Sequence, residues 1–283
     1  MKEIHYFYTP DITTGTLPPD EATHCTLVLR LTAGSNIIIT DGKGKIYQAI
    51  ITDTANKRCK FKVTDVTDWG KEWRGHIHIA MSPTKNISRT EWLVEKAIEI
   101  GVDEITFLSC TNSEHKGKIN LQRMDKIATE AMKQSHKALK TKINGPTPLI
   151  SLLKSATEQQ KFIAHCFDQA DITNANTDMN EKSSEKDQKT SHHIPILSDI
   201  NEETSKIFQT TSNIILGKPY LPDEDNASSD TLVLVGPEGD FTIDEVRKAL
   251  SLGFRPVHLG KSRLRTETAA LVAAHLIHIK HST

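Results

Sequence analysis

Residues Leu232 to Ala274 read LVLVGPEGDFTIDEVRKALSLGFRPVHLGKSRLRTETAALVAA, and the fold turns on how this stretch is read. Two short apolar runs, Leu232-Val233-Leu234-Val235 and Pro256-Val257-His258-Leu259, have the length and composition of buried strands. Each stops at glycine: Gly236-Pro237-Glu238-Gly239 after the first, Gly260 after the second. Each turn leads into a helical pattern. Thr242 and Glu245 stand at capping-box spacing, and Gly253 supplies a stop signal. Behind the polar loop 261–268, Ala269 to Ile279 is apolar almost all round, as a buried or interface helix is. Strand, glycine turn and helix in repetition belong to an open α/β sheet, whose ligands bind beyond the carboxyl ends of the strands. Two glycine-rich strand ends so close in sequence therefore predict one binding site, with backbone N–H groups free to approach a ligand. Neither G-x-x-x-x-G-K-[ST] nor G-x-G-x-x-G occurs, so the common nucleotide-phosphate loops do not explain these turns.

Upstream of this stretch the chain continues the α/β pattern. His76 to Met81 predicts a strand, with His76 and His78 as ordinary polar-face residues. Ser88 and Glu91 have capping-box spacing before a helix that ends at Gly101, and Ile105 to Leu108 predicts the next strand. A further helix presents Leu121, Met124, Ile127, Ala131, Ser135 and Leu139 on one face, and Asn144-Gly145-Pro146 closes that region. Phe162 to Phe167 is a short strand candidate. Residues 1 to about 70 differ: NIIIT at Asn36–Thr40, the turn Asp41-Gly42-Lys43-Gly44 and the return run Ile46–Ile51 predict a β-rich domain. Phe61, Val63 and Val66 mark another strand there, with Lys57, Arg58, Lys60 and Lys62 making its outer side basic.

Composition narrows the class. No apolar run reaches transmembrane length, and MKEIHYFYTP has no signal-peptide character, so a cytoplasmic protein is expected. Cys25, Cys59, Cys110 and Cys166 are scattered and read as reduced core residues, and no spacing suggests a metal site. The net charge of −1 conceals an uneven distribution. Residues 168–193 carry −3 and residues 221–230 carry −4, which leaves +6 on the rest. That is a mildly basic body able to face phosphate. Residues 169–193, rich in Asn, Thr, Ser, Lys and Glu, read as a disordered surface insertion.

The pairing of LVGPEGDFTIDEV with LGKSRLRTETAALVAA closely resembles the closing motifs of the RsmE-type ribosomal RNA small-subunit methyltransferases, of the SPOUT class. EWLVEKAIEIGV agrees with the same family through Lys96, Glu99 and Gly101. His24 to Arg30, followed by Gly34 and Asp41-Gly42, is similar to its N-terminal barrel. The resemblance implies an α/β fold: a SPOUT-type knotted parallel-sheet domain over residues 73–283, preceded by a small PUA-like β-barrel over residues 1–72. It implies S-adenosylmethionine as methyl donor, no metal, and transfer to N3 of one uridine in 16S rRNA. Val235, Gly236, Pro237, Glu238, Gly239, Leu259, Gly260 and Leu264 would shape the cofactor pocket, with His165 nearby. Arg265 would stabilise charge growing on the uracil oxygens, its alternative being a salt bridge with Glu267 or Glu238. His24 and Arg30 would contact RNA, while the basic strand side formed by Lys57, Arg58, Lys60 and Lys62 reads by itself either as an RNA-backbone contact or as a solvated sheet face. A homodimer acting on the small subunit follows from the same source. The chain departs from its relatives at His115 and Lys137, where arginine is common, and at Asp240, which replaces a second glycine. A non-catalytic assembly factor and a tRNA methyltransferase are the alternatives. Cofactor binding separates the first from an enzyme, and mapping the methylated RNA separates the second.

Overall fold

The computed structural model describes residues 5–55, 58–115, 117–167, 229–260 and 262–282. The insertion expected near 169–193 and Lys57 lie outside the described residues.

The N-terminal sheet has the order β1-β2-β3-β4, formed by Tyr6–Tyr8, Asn36–Thr40, Lys45–Asp53 and Lys60–Asp68. The β2–β3 hairpin closes where predicted. The Asp41 carboxylate accepts from the Lys43 and Lys45 amides at 2.7 and 3.3 Å, the local side-chain bond that makes Asp a turn residue. Phe7, Ile37, Ile39, Ile51 and Phe61 fill the core beneath this sheet. Only the first apolar residue of β4 joins them. Val63 and Val66 are 37% and 52% exposed, because the strand runs past the edge of the core after Phe61. Between β1 and β2 the chain forms a short helix, α1 (Pro19–Thr23), then a π-helical turn at His24–Val28.

The second sheet is wholly parallel, with the order β10-β8-β9-β5-β6-β7. In chain order its strands are β5 (Ile77–Met81), β6 (Glu104–Ser109), β7 (Lys142–Pro148), β8 (Gln160–Ala164), β9 (Thr231–Val235) and β10 (Arg255–Val257). Both faces are covered, which is why the central strands read as unbroken apolar runs. On one face Ile79, Phe107 and Val233 pack against α2 (Ile87–Ile100), α3 (Leu121–Gln134) and the C-terminal helix Thr266–Ser282. On the other, Ala80, Leu108 and Leu234 meet α4 (Leu149–Ser155) and α5 (Ile243–Ser251). We call the C-terminal helix α6.

Three expectations need correction. The cap of α2 is Asn86, whose side chain accepts from the Ser88 amide, and not Ser88 itself. Glu91 is drawn away by Arg123 on α3, whose Nη2 donates to it at 2.7 Å. Asn144-Gly145-Pro146 does not end a region but lies inside β7, where a register shift and an edge position tolerate the missing proline N–H. Leu139 lies beyond the end of α3 at Gln134.

The segment after α3 joins the two sheets. Ala138 O accepts from Gly44 N and from Thr40 Oγ1, and Gly42 O accepts from Lys140 N. Lys133 Nζ donates to Glu21 Oε1 at 2.6 Å, with both side chains 9% exposed. His136 stacks on Tyr6 with centroids 4.2 Å apart.

Candidate active site

The turn Gly236-Pro237-Glu238-Gly239-Asp240 follows β9, and the ends of three other strands are tied to it. Glu238 Oε1 accepts from Lys85 N in the loop after β5. Asn112 Nδ2, after β6, donates to the carbonyls of Gly239 and Asp240 at 3.3 and 3.1 Å. Asp240 Oδ2 accepts from Cys166 N, after β8, at 2.8 Å. The capping box of α5 is present as predicted, and its Glu245 does a second job. One oxygen caps Thr242, while the other accepts from Thr111 N and Oγ1 at 2.8 and 2.9 Å. The turn and the four strand ends therefore form one hydrogen-bonded unit at the carboxyl edge of the sheet.

Local sequence explains the shape. A Cβ on Gly236 would lie 3.0 Å from the Phe241 ring, so glycine is what lets the chain double back over that buried phenyl group. Asp240 has φ 62°, the left-handed conformation that glycine adopts most easily. Its carboxylate offsets the strain by accepting from Cys166 N and, at 2.7 Å, from Phe241 N. The aspartate that stands in place of that glycine is thus a tether between the turn and the end of β8.

The second turn lies two strands away. β8 separates β9 from β10, so Gly236 and Gly260 flank the end of β8 and do not adjoin each other. Gly260 has φ 121° with open space around it, so its requirement is conformational. Leu259 and Leu264 are half-buried, and Leu259 packs on the α2/α3 side of the core. His165 follows β8 in the gap between the turns. Burial lowers its pKa against the opposing pull of Asp240 and the Phe167 backbone, and neither ring nitrogen makes a hydrogen bond of good geometry among the described residues. Glu238 Oε2 and Glu267 Oε2 are likewise buried without partners. Unpaired buried acceptors are costly, so they favour a ligand that brings donors or positive charge.

Arg265 is exposed at the start of α6, and its carbonyl accepts the first helical bond from Ala269 N. Its two alternative partners are engaged elsewhere: Glu238 with Lys85 N, and Glu267 facing Arg89 Nε at 3.8 Å. Among the described residues Arg265 makes no ion pair, and its side chain is exposed.

The basic residues of the N-terminal domain lie apart from these turns in sequence. His24 and Arg30 are exposed on and after the π-helical turn, and Arg58, Lys60 and Lys62 are exposed at the start of β4. Lys60 stands 3.6 Å from Asp53, an open pair worth little. Sequence reasoning missed Asn112, Thr111 and Lys85. Nothing in their spacing marks them, because they join the turn only through the order of the strands. His78 also departs from its reading as a polar-face residue. It is 4% exposed, with Nδ1 2.7 Å from Glu158 and Nε2 2.8 Å from Thr106. His76 pairs with Glu104, and that hydrogen bond raises its pKa. This network sits at the amino ends of the strands, away from the glycine turns.

Comparison with known proteins bears on both halves. The family model of an RNA methyltransferase domain matches residues 71–194 and 185–278, and that of an RNA methyltransferase PUA domain matches residues 17–64. A probable rRNA-methyltransferase from Porphyromonas gingivalis is 34% identical in sequence, with a TM-score of 0.74 over 98% of both chains. Ribosomal RNA small subunit methyltransferase E of Buchnera aphidicola is 26% identical over 90% of this chain and 83% of its own length. The same-named enzyme of Neisseria gonorrhoeae, solved bound to S-adenosyl methionine, shares the fold at 23% identity. Its TM-score is 0.68 over 96% of this chain and 95% of that one.

Proposed function

The chain belongs to the RsmE-type RNA methyltransferase family, PUA domain included, and from that premise we propose that it methylates N3 of a uridine in 16S rRNA, using S-adenosylmethionine. The observation that carries the reading is the turn at Gly236–Asp240, to which the ends of β5, β6 and β8 are bound beside buried acceptors that lack partners. The cofactor brings a methyl group on a positive sulfonium, already activated for transfer. The residues present suit it: Val235, Gly236, Pro237, Glu238 and Gly239 on one side, Leu259, Gly260 and Leu264 on the other, and unpaired carboxylate oxygens for its positive groups. Uridine N3 is a poor nucleophile while it holds its proton. The guanidinium of Arg265 lowers the cost of the anion by binding the charge that spreads to the uracil oxygens. Its planar donors and permanent charge suit that task.

The N-terminal domain supplies the grip on RNA through His24, Arg30, Arg58, Lys60 and Lys62, and Lys57 joins them in this reading. A division at residues 72/73, a trefoil knot around the cofactor turns, a homodimer and action on the small subunit in the cytoplasm complete it. No described helix is long and apolar enough to cross a membrane. The test uses purified protein, radiolabelled cofactor and small subunits lacking the modification, with the labelled nucleotide mapped. Label at a single uridine N3 supports the proposal. Cofactor binding with label only on tRNA, or no binding at all, overturns it.

A further inference from the structure

We propose that Cys25 and Cys59 form a disulfide-forming modification site inside the N-terminal domain, closed by a small hydroperoxide and reopened by a small thiol. The two residues stand far apart in sequence and belong to no C-x-x-C motif, so spacing conceals them. In the fold their Sγ atoms lie 3.4 Å apart, and both residues are fully buried. A disulfide requires about 2.05 Å, so an approach of little more than about 1 Å closes the bond.

The backbone on one side of the pair is irregular. Cys25 lies in the π-helical turn, where Leu29 N reaches back five residues to His24 O. Arg30, just beyond, holds φ 53°, a left-handed conformation that a non-glycine side chain rarely adopts. A π-turn and a left-handed arginine within seven residues are departures from regular backbone of the kind that cluster at functional sites. Cys59 sits across the core between exposed Arg58 and Lys60, and its carbonyl accepts from Leu17 N. The bond would therefore staple the segment carrying His24 and Arg30 to the strand carrying Lys60 and Lys62.

The two sulfurs share one hydrogen bond, in which either can be the donor. Either can therefore ionise, and the thiolate is the nucleophile. With Cys59 ionised, its sulfur attacks one peroxide oxygen, the O–O bond breaks, and the departing oxygen leaves as water after taking up a proton. The resulting sulfenic acid is attacked by the Cys25 sulfur. The S–S bond forms, and the sulfenic oxygen leaves as a second water, carrying the Cys25 proton. The two thiols lose two electrons and two protons, and the peroxide gains them. Reopening follows by exchange with two equivalents of a small thiol, which become its disulfide. Burial admits a molecule the size of hydrogen peroxide more readily than a protein oxidant. The other cysteines differ: Cys166 is exposed, and burial pushes the Cys110 thiol up to about 12.

The site requires neither RNA nor cofactor, so its test is independent of the proposed function. Full-length C166S protein, lacking the exposed thiol, is treated with hydrogen peroxide, blocked with an alkylating agent, unfolded, alkylated again and peptide-mapped. The expected result is loss of two hydrogen masses in a linked peptide pair containing Cys25 and Cys59, reversed by dithiothreitol. The thermal midpoint should rise by several degrees on oxidation and return on reduction. A C59S/C166S protein should show neither change, and if it does not fold, the C166S map decides alone. Cys25 and Cys59 both remaining alkylatable after unfolding, or carrying only oxygen adducts or intermolecular links, would overturn the proposal.

Discussion

Replacing Asp240 by glycine sets two local effects against each other. The left-handed backbone at φ 62° costs an aspartate about 1 kcal/mol that glycine does not incur. Against this, the substitution removes carboxylate bonds to Cys166 N at 2.8 Å and Phe241 N at 2.7 Å. A hydrogen bond to a charged group contributes about 1.5–3 kcal/mol. Cys166 is exposed, so water replaces part of its bond and the lower end of that range applies there; the same value serves as a minimum for the bond to the buried Phe241. The loss is then about 3 kcal/mol against a gain of about 1, a net destabilisation of about 2 kcal/mol. Asp240→Asn keeps the same backbone strain and one accepting oxygen, so it loses one bond with no compensating gain, about 1.5 kcal/mol. Because Asp240 joins the end of β8 to the turn proposed to hold the cofactor, affinity for S-adenosylmethionine should fall with stability, by about tenfold for each 1.4 kcal/mol expressed in the bound state. Urea denaturation and calorimetric titration of the three proteins measure both quantities. If Asp240→Gly is as stable as the parent and binds the cofactor equally well, backbone strain outweighs the tether and the reasoning fails.

Lys133→Met should cost about 3–5 kcal/mol by leaving Glu21 buried without its partner, and adding Glu21→Gln should restore most of it. Denaturant melts of the single and double variants would contradict this if the two effects simply added. Burial lowers the pKa values of His278 and His281, so the unfolded chain takes up protons first as pH falls. Their stabilising contribution is complete above the ordinary histidine value of 6.5 and is lost as pH drops from there through the folded values. His281→Gln should flatten that acid limb in melts run from neutral pH downward, and an unchanged slope would remove His281 from the account. Arg265→Ala should raise the methyl-transfer barrier by about 2–4 kcal/mol, with Arg265→Lys intermediate and higher pH partly rescuing both. Single-turnover rates at saturating cofactor and RNA give the answer. A saturated rate that survives while cofactor affinity falls would make Arg265 a pocket residue.

What the sequence revealed depended on how local the governing interaction is. Apolar runs such as Leu232–Val235 and the Thr242/Glu245 cap are decided within a few residues, and both stand in the fold as read. Ser88 failed as a cap because Asn86 competes two residues earlier and Arg123 takes Glu91 from another helix. Val63 failed because alternation predicts a face but not where the core beneath it ends. The glycine turns were visible. Their relationship was not, because β8 separates them and its place depends on pairing between strands distant in sequence. The same holds for Asn112, and for Cys25 and Cys59: no spacing rule connects residues that only topology brings together.

The prolines at the margins of the large sheet have a consequence for how the chain reaches its native state. The pairing of β8 with β9 joins segments distant in sequence, and sheets built from such pairings assemble slowly. While they assemble, an outer strand offers unsatisfied amides and carbonyls to any other extended chain. One margin of this sheet is β7, which contains Pro146 and Pro148, and the other is β10, three residues long with Pro256 at its centre. Each proline removes a donor from the row that an incoming strand would need. Substituting Pro256 or Pro146 with a β-branched residue could therefore leave the folded protein intact and still lower its yield, by turning a blunt margin into a template for aggregation.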